Sequence, residues 1–198
     1  MTTENDLETE SSSAIKPDQS KRKGLVMVWT GNGKGKTTAA LGMAVRATGY
    51  NMRVLMIQFI KGDWKYGELK AAQRLSPELE IVQGGKGFTI EGLYNGKISL
   101  EEHYQAAADS FERTKAVITS GLYDMVILDE IFWALKDNSV SLTELLDVIK
   151  AKPASLHLVL TGRGAPPEVV ELADLVSEIQ EIKHPYQQGI PAQKGVEF

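Results

Sequence analysis

Residues Gly31-Asn32-Gly33-Lys34-Gly35-Lys36-Thr37-Thr38 follow directly on the apolar run Leu25-Val26-Met27-Val28-Trp29. The helix-like stretch Ala39 to Val45 comes behind them. Strand, glycine-rich loop, Lys-Thr and helix, in that order, form the layout of a phosphate-binding P-loop. Glycines let successive backbone N–H groups turn inward at a helix N-terminus and form a nest for an anion. Lys36 adds a point charge, and the Thr37 hydroxyl is placed to hold Mg²⁺. The chemistry this predicts is nucleoside triphosphate binding, with nucleotide contacts at Gly31, Asn32, Gly33, Lys34, Gly35, Lys36, Thr37 and Thr38. One position departs from the usual spacing: Thr30 stands where the motif has its first glycine, and the nearest glycine is Gly31.

Further along, Val126-Ile127-Leu128-Asp129-Glu130 is an apolar strand ending in two carboxylates, the form of a Walker B element. Acids there hold Mg²⁺ directly or through water, opposite the P-loop hydroxyl. Metal ligation is therefore expected at Thr37, Asp129 and Glu130. Thr161-Gly162-Arg163-Gly164 closes another apolar strand, and the Arg163 guanidinium there is suited to gripping phosphate bidentately. His103, His157 and His184 are scattered without ligand spacing, so zinc catalysis has no support. His157 alternates with leucines and reads as a packed residue. Phe59, Trp64, Phe88 and Trp133 fall at strand ends or in loops, where clustered aromatics favour a large planar ligand.

These groups need a scaffold. Apolar runs alternate with helical patterns from Gly24 onward. Strands are expected at 54–60, 79–82, 124–128 and 156–160, with a less regular one at 176–182. Helices are expected at 66–75, 100–120, 142–150 and 167–172. Near-continuous apolar strands separated by helices mean a mostly parallel sheet covered on both faces. The glycine-dense stretch 83–92 follows a strand and so belongs on the ligand side of such a sheet. A flexible polar tail, 1–23, precedes one domain, 24–198, and the tail could act as a lid.

Composition narrows the rest. The chain has 198 residues, and its hydrophobic content of 42% and charged content of 24% are ordinary for one globular domain. A net charge of −4 gives no support for a nucleic-acid surface. No cysteine is present, which removes thiolate nucleophiles, disulfides and Fe–S ligation. No apolar run reaches the ~20 residues of a membrane span, and the N-terminus lacks the pattern of a signal peptide, so a cytoplasmic protein without membrane partners is the expectation.

The set TGNGKGKTTAA (30–40), QFIKGDWKYGE (58–68), GFT (87–89), ILDE (127–130), TGRG (161–164) and KH-x-Y-x-x-GI-x-AQ-x-GVEF (183–198) resembles the CobA/BtuR-type ATP:corrinoid adenosyltransferases. The resemblance runs from about residue 24 to the C-terminus. It implies a P-loop fold of the RecA-like class, a homodimer, and transfer of the 5′-deoxyadenosyl group of Mg-ATP to the Co(I) of a corrinoid. Cobalamin, cobinamide or cobyrinic acid a,c-diamide would serve as acceptor, and triphosphate would be released. The corrinoid would be reduced by a flavoprotein or flavodoxin-type electron donor. ATP would lie reversed relative to other P-loop enzymes, with the loop cradling the triphosphate that departs. Lys36 would then be catalytic through leaving-group charge, and Glu130 the Mg²⁺ contact. Trp64, Phe88, Ile90 and Trp133 would meet the corrin. Similar family members can carry Phe-Thr-Trp in the corrin loop, both rings helping to displace the lower axial ligand. Here Phe88 and Thr89 match and Ile90 stands in place of the Trp. Two other readings of the P-loop remain open at this point: a RecA-like ATPase in which Glu130 polarises water, and a nucleotide-dependent corrinoid carrier.

Overall fold

The computed structural model describes residues 23–60, 66–85 and 99–197. The apolar runs become five-residue strands β1 (Val26–Thr30), β2 (Val54–Gln58), β3 (Leu79–Gln83), β4 (Met125–Asp129) and β5 (His157–Thr161), with a shorter β6 (Leu175–Glu178). They form one six-stranded sheet in the order β3-β2-β4-β5-β1-β6. Every neighbouring pair is parallel. Parallel pairing needs a crossover for each strand, and helices supply it. They are α1 (Lys36–Thr48), α2 (Gly67–Arg74), α3 (Leu100–Thr119), α4 (Ile131–Lys136), α5 (Leu142–Ala151) and α6 (Pro167–Leu172).

Because side chains alternate across a strand, each central strand feeds two cores. Val26 and Val28, Leu55 and Ile57, Val126 and Leu128, and Leu158 and Leu160 pack on one face with residues of α3, α4, α5 and α6. Met27 and Trp29, Val54 and Met56, Met125 and Ile127, and Val159 pack on the other with residues of α1 and α2. That two-sided burial is why these strands read as unbroken apolar runs. Each fully buried Val, Leu, Ile or Met contributes roughly 1.5–3 kcal/mol of transfer free energy. Phe59 belongs to the first core at 4% exposure, so it is a packing residue and not part of the ligand crevice.

The strand ends are a different matter. At the C-terminal edge β1, β2, β3, β4, β5 and β6 finish in Thr30, Gln58, Gln83, Asp129, Thr161 and Glu178. Parallel sheets place their ligand crevices along that edge. Placing β5 between the P-loop strand β1 and the Asp129 strand β4 makes this a RecA-like P-loop sheet. Two expectations need correction. The last strand stops at Glu178 instead of reaching 182, and Ile182 is 89% exposed. The segment after Glu130 is a short helix, α4, that the sequence pattern had not marked. No helix among the described residues is long and apolar enough to cross a membrane.

Candidate active site

The loop between β1 and α1 is held against β6. The Ile179 amide donates to the Thr30 carbonyl at 2.8 Å, and the Gly33 amide donates to the Ile179 carbonyl at 2.7 Å. Thr30 remains inside β1, and its hydroxyl accepts from the Ala165 amide at 3.1 Å. The sharp turn falls one residue later, at Gly31, with φ +97°. A Cβ on Gly31 would lie 2.4 Å from the Ile179 carbonyl oxygen. This accounts for the displaced glycine: position 30 needs strand geometry, and position 31 needs both the left-handed backbone and the missing side chain.

Lys36 opens α1 and is 6% exposed. Its ammonium donates to the Gly31 carbonyl at 2.9 Å and the Gly33 carbonyl at 2.8 Å, so it bridges the loop it belongs to. Burial lowers the Lys36 pKa; the Glu130 charge pulls it back up, Arg163 adds to the lowering, and Asp129 opposes it. A buried cation held by neutral carbonyls is stabilised further by an arriving anion.

The two strand-end acids occupy unlike environments. Asp129 is 1% exposed, and its Oδ1 accepts from the Thr37 hydroxyl at 2.9 Å and the Thr161 hydroxyl at 2.8 Å. Thr161 Oγ1 in turn accepts from the Glu130 amide at 2.9 Å. Glu130 takes a left-handed backbone, φ 60° and ψ 30°, which turns the chain from β4 straight into α4. A non-glycine residue held there is strained, a feature that clusters at functional sites. A hydroxyl has one proton and two lone pairs. With its proton directed to Asp129, Thr37 keeps lone pairs for a cation.

Two cavities open on this edge. One, of about 580 Å³, is lined by the loop residues Asn32 to Thr38, by Glu68, Glu130 and Arg163, and by His184 and Glu197 from the C-terminal segment. The other, of about 1060 Å³, has an apolar wall that includes Ile60, Phe132, Trp133, Leu135 and Leu142. Asn32, Thr37, Glu130 and Arg163 belong to both walls. Oxygen donors at Thr37, Asp129 and Glu130 fit a hard cation. No group of three His, Cys, Asp or Glu poised for a metal occurs among the described residues. Two carboxylates beside a hydroxyl are a donor set of the kind Mg²⁺ takes, its shell completed by water and phosphate oxygens.

Of the residues singled out from sequence, Asn32 to Thr38, Glu130 and Arg163 come together around the first cavity. Gly31 contributes its carbonyl and Asp129 lies behind. Trp133 lies on the second cavity, with the Lys136 ammonium 5.4 Å from its ring centre. Trp64, Phe88, Ile90 and the tail through residue 22 lie outside the described residues. His157 is structural: its Nδ1 accepts from the Leu25 amide at 3.1 Å. The glycine-dense stretch begins at the expected edge, where the Gly84 and Gly85 amides donate to the Gln58 carbonyl at 2.9 and 3.1 Å. Sequence reasoning missed Thr161, Glu68, His184 and Glu197. Only their place within the segments 58–68, 161–164 and 183–198, on which the family resemblance rests, pointed toward them.

The model of the family described as ATP:corrinoid adenosyltransferase BtuR/CobO/CobP matches residues 22–198. The corrinoid adenosyltransferase CobA of Salmonella typhimurium is 35% identical over 89% of this chain and 86% of its own. Corrinoid adenosyltransferases of Pseudomonas aeruginosa and a Sinorhizobium species are 39% and 38% identical, over 89% and 93% of this chain and 84% of theirs in each case. A KaiC-like protein of Pyrococcus horikoshii superposes with a TM-score of 0.49 at 16% identity, over 81% of this chain and 75% of its own.

Proposed function

The chain belongs to the ATP:corrinoid adenosyltransferase family, and on that premise we propose that it transfers the 5′-deoxyadenosyl group of ATP to the Co(I) of a corrinoid and releases triphosphate. The observation that carries this reading is the shared wall. A cavity ringed by the glycine loop, Lys36 and other charged side chains and a larger, mostly apolar one meet at Asn32, Thr37, Glu130 and Arg163. A triphosphate in the first would hold C5′ near the junction, where a planar macrocycle in the second could reach it.

The electron pair of Co(I) forms the Co–C bond as the C5′–O bond breaks and leaves its pair on the triphosphate. Co(I) is itself a strong nucleophile, so the protein needs no general base. Its work is to position C5′, exclude water and stabilise the charge gathering on the leaving group. Lys36 would exchange the carbonyls of Gly31 and Gly33 for phosphate oxygens, while the uncapped N-terminus of α1 presents further N–H donors. Mg²⁺, bound by Thr37 and Glu130, would supply Lewis-acid neutralisation of that charge. Arg163 would hold phosphate from the β5 side. The electron donor is a reduced flavoprotein, the enzyme a cytoplasmic homodimer, and the acceptor cobalamin, cobinamide or cobyrinic acid a,c-diamide. Phe88, with Ile90, would press on the corrin and displace its lower ligand. In that case Phe88→Ala should slow the reaction from cob(II)alamin far more than from pre-reduced cob(I)alamin, and equal losses would mean that it only packs the loop.

The deciding experiment is anaerobic incubation with Mg-ATP and chemically reduced cob(I)alamin. A light-sensitive alkylcobalamin and an equal amount of triphosphate are expected. Orthophosphate without an alkylcobalamin would replace this reading with ATP hydrolysis.

A further inference from the structure

The end of the chain contributes an acid to the anion site. The Glu197 carboxylate lies 3.1 Å from the Lys34 ammonium, and both line the phosphate cavity. The turn that carries it is closed by the Val196 and Glu197 amides, which donate to the Gln193 carbonyl at 3.2 and 2.8 Å. A partly exposed pair of this kind adds little to stability. A carboxylate beside a P-loop lysine also opposes phosphate binding through Coulomb repulsion. Its position therefore calls for a reason other than folding or simple affinity.

We propose that Glu197 is a product-release residue, competing with the departing triphosphate for Lys34. The inference rests on the reading that the P-loop holds the triphosphate leaving group. Breaking C5′–O leaves an electron pair on phosphate oxygen, so the free product is more negative than the esterified chain in ATP. A cradle of Lys34, Lys36 and backbone N–H groups favours the more negative species. Left unopposed, it would hold product more tightly than substrate, and release would limit turnover. Glu197 repels both, and repels the product more. By taking back Lys34 as triphosphate leaves, it also restores the starting ion pair.

The test uses full-length wild type, Glu197→Gln and Glu197→Asp, with inorganic triphosphate and Mg²⁺ titrated by calorimetry at low and high salt. Triphosphate should bind Glu197→Gln roughly five- to thirty-fold more tightly at low salt. The difference should shrink at high salt, as screening requires. ATP should tighten less, steady-state turnover should fall behind a preserved first-turnover burst, and Glu197→Asp should stay close to wild type. Equal or weaker triphosphate binding by Glu197→Gln would overturn the release role and leave the P-loop reading intact. Failure of the wild type to bind triphosphate would overturn the P-loop reading itself.

Discussion

Asp129 and Glu130 are adjacent in the chain and have opposite surroundings. Asp129 is buried and takes two hydroxyl protons on one oxygen. Glu130, set in a left-handed turn, lines both cavities. The first arrangement suits orientation of Thr37; the second suits a charge offered to a bound cation. The Asp-Glu pair was legible as the acidic end of an apolar strand, and the resemblance offered Glu130 for the metal; the hydroxyl pair on Asp129 was not legible, because Thr161 enters from a different strand. We predict that Glu130→Gln raises the Mg²⁺ concentration for half-maximal activity about tenfold or more, equivalent to at least ~1.4 kcal/mol. Asp129→Asn should lower kcat with a smaller shift in metal requirement. Mg²⁺ titration of activity, with Mn²⁺ binding followed by electron paramagnetic resonance, checks this. The assignment is reversed if Asp129→Asn weakens the metal and Glu130→Gln does not.

Among elements, the loop after β5 carries Arg163 and is positioned by close contact with the start of α4. Gly162 has φ +143°, and a Cβ there would sit 2.9 Å from the Phe132 Cβ and 3.1 Å from its amide nitrogen. We predict that Gly162→Ala costs about 1–3 kcal/mol through backbone strain and overpacking. It should also weaken ATP binding by displacing Arg163. Urea unfolding measures the first effect and nucleotide titration the second; an unchanged midpoint would mean that the approach is looser than 2.9 Å implies. The contact joins residues 30 apart and leaves no mark in local pattern. Strands β1, β2, β4 and β5 were legible because burial on both faces makes continuous apolar runs. By contrast α4 spans under two turns, too few to show a period, and β6, at the sheet edge, has exposed Leu175 and Val176. Strand order was not legible from the residues themselves: hydrophobic pattern reports which residues are buried, not which strand lies beside which.

At the scale of the whole molecule, a net charge of −4 conceals a cluster of opposed charges at one edge of the sheet, where Lys34, Lys36 and Arg163 share a cavity with Glu68, Glu130 and Glu197. Average charge speaks to the whole surface and is blind to a pocket of this size. The division of that edge into two chambers was equally hidden, since it depends on β5 lying between β1 and β4 and on the C-terminal segment returning to the P-loop. Trp133 separates the consequences of the two chambers. It lines the apolar cavity, on the side of the shared wall away from the P-loop lysines, with the Lys136 ammonium over its ring. We predict that Trp133→Ala raises KM for the corrinoid roughly five- to thirty-fold, the loss of about 1–2 kcal/mol of apolar and stacking contact. Mg-ATP affinity, set on the other side of the wall, should stay within about twofold. Steady-state kinetics with each substrate varied in turn, alongside a urea unfolding curve, makes the comparison. Weakening of both substrates together with lower stability would make Trp133 a packing residue of α4. Unchanged corrinoid KM in a stably folded variant would place the macrocycle elsewhere on this edge.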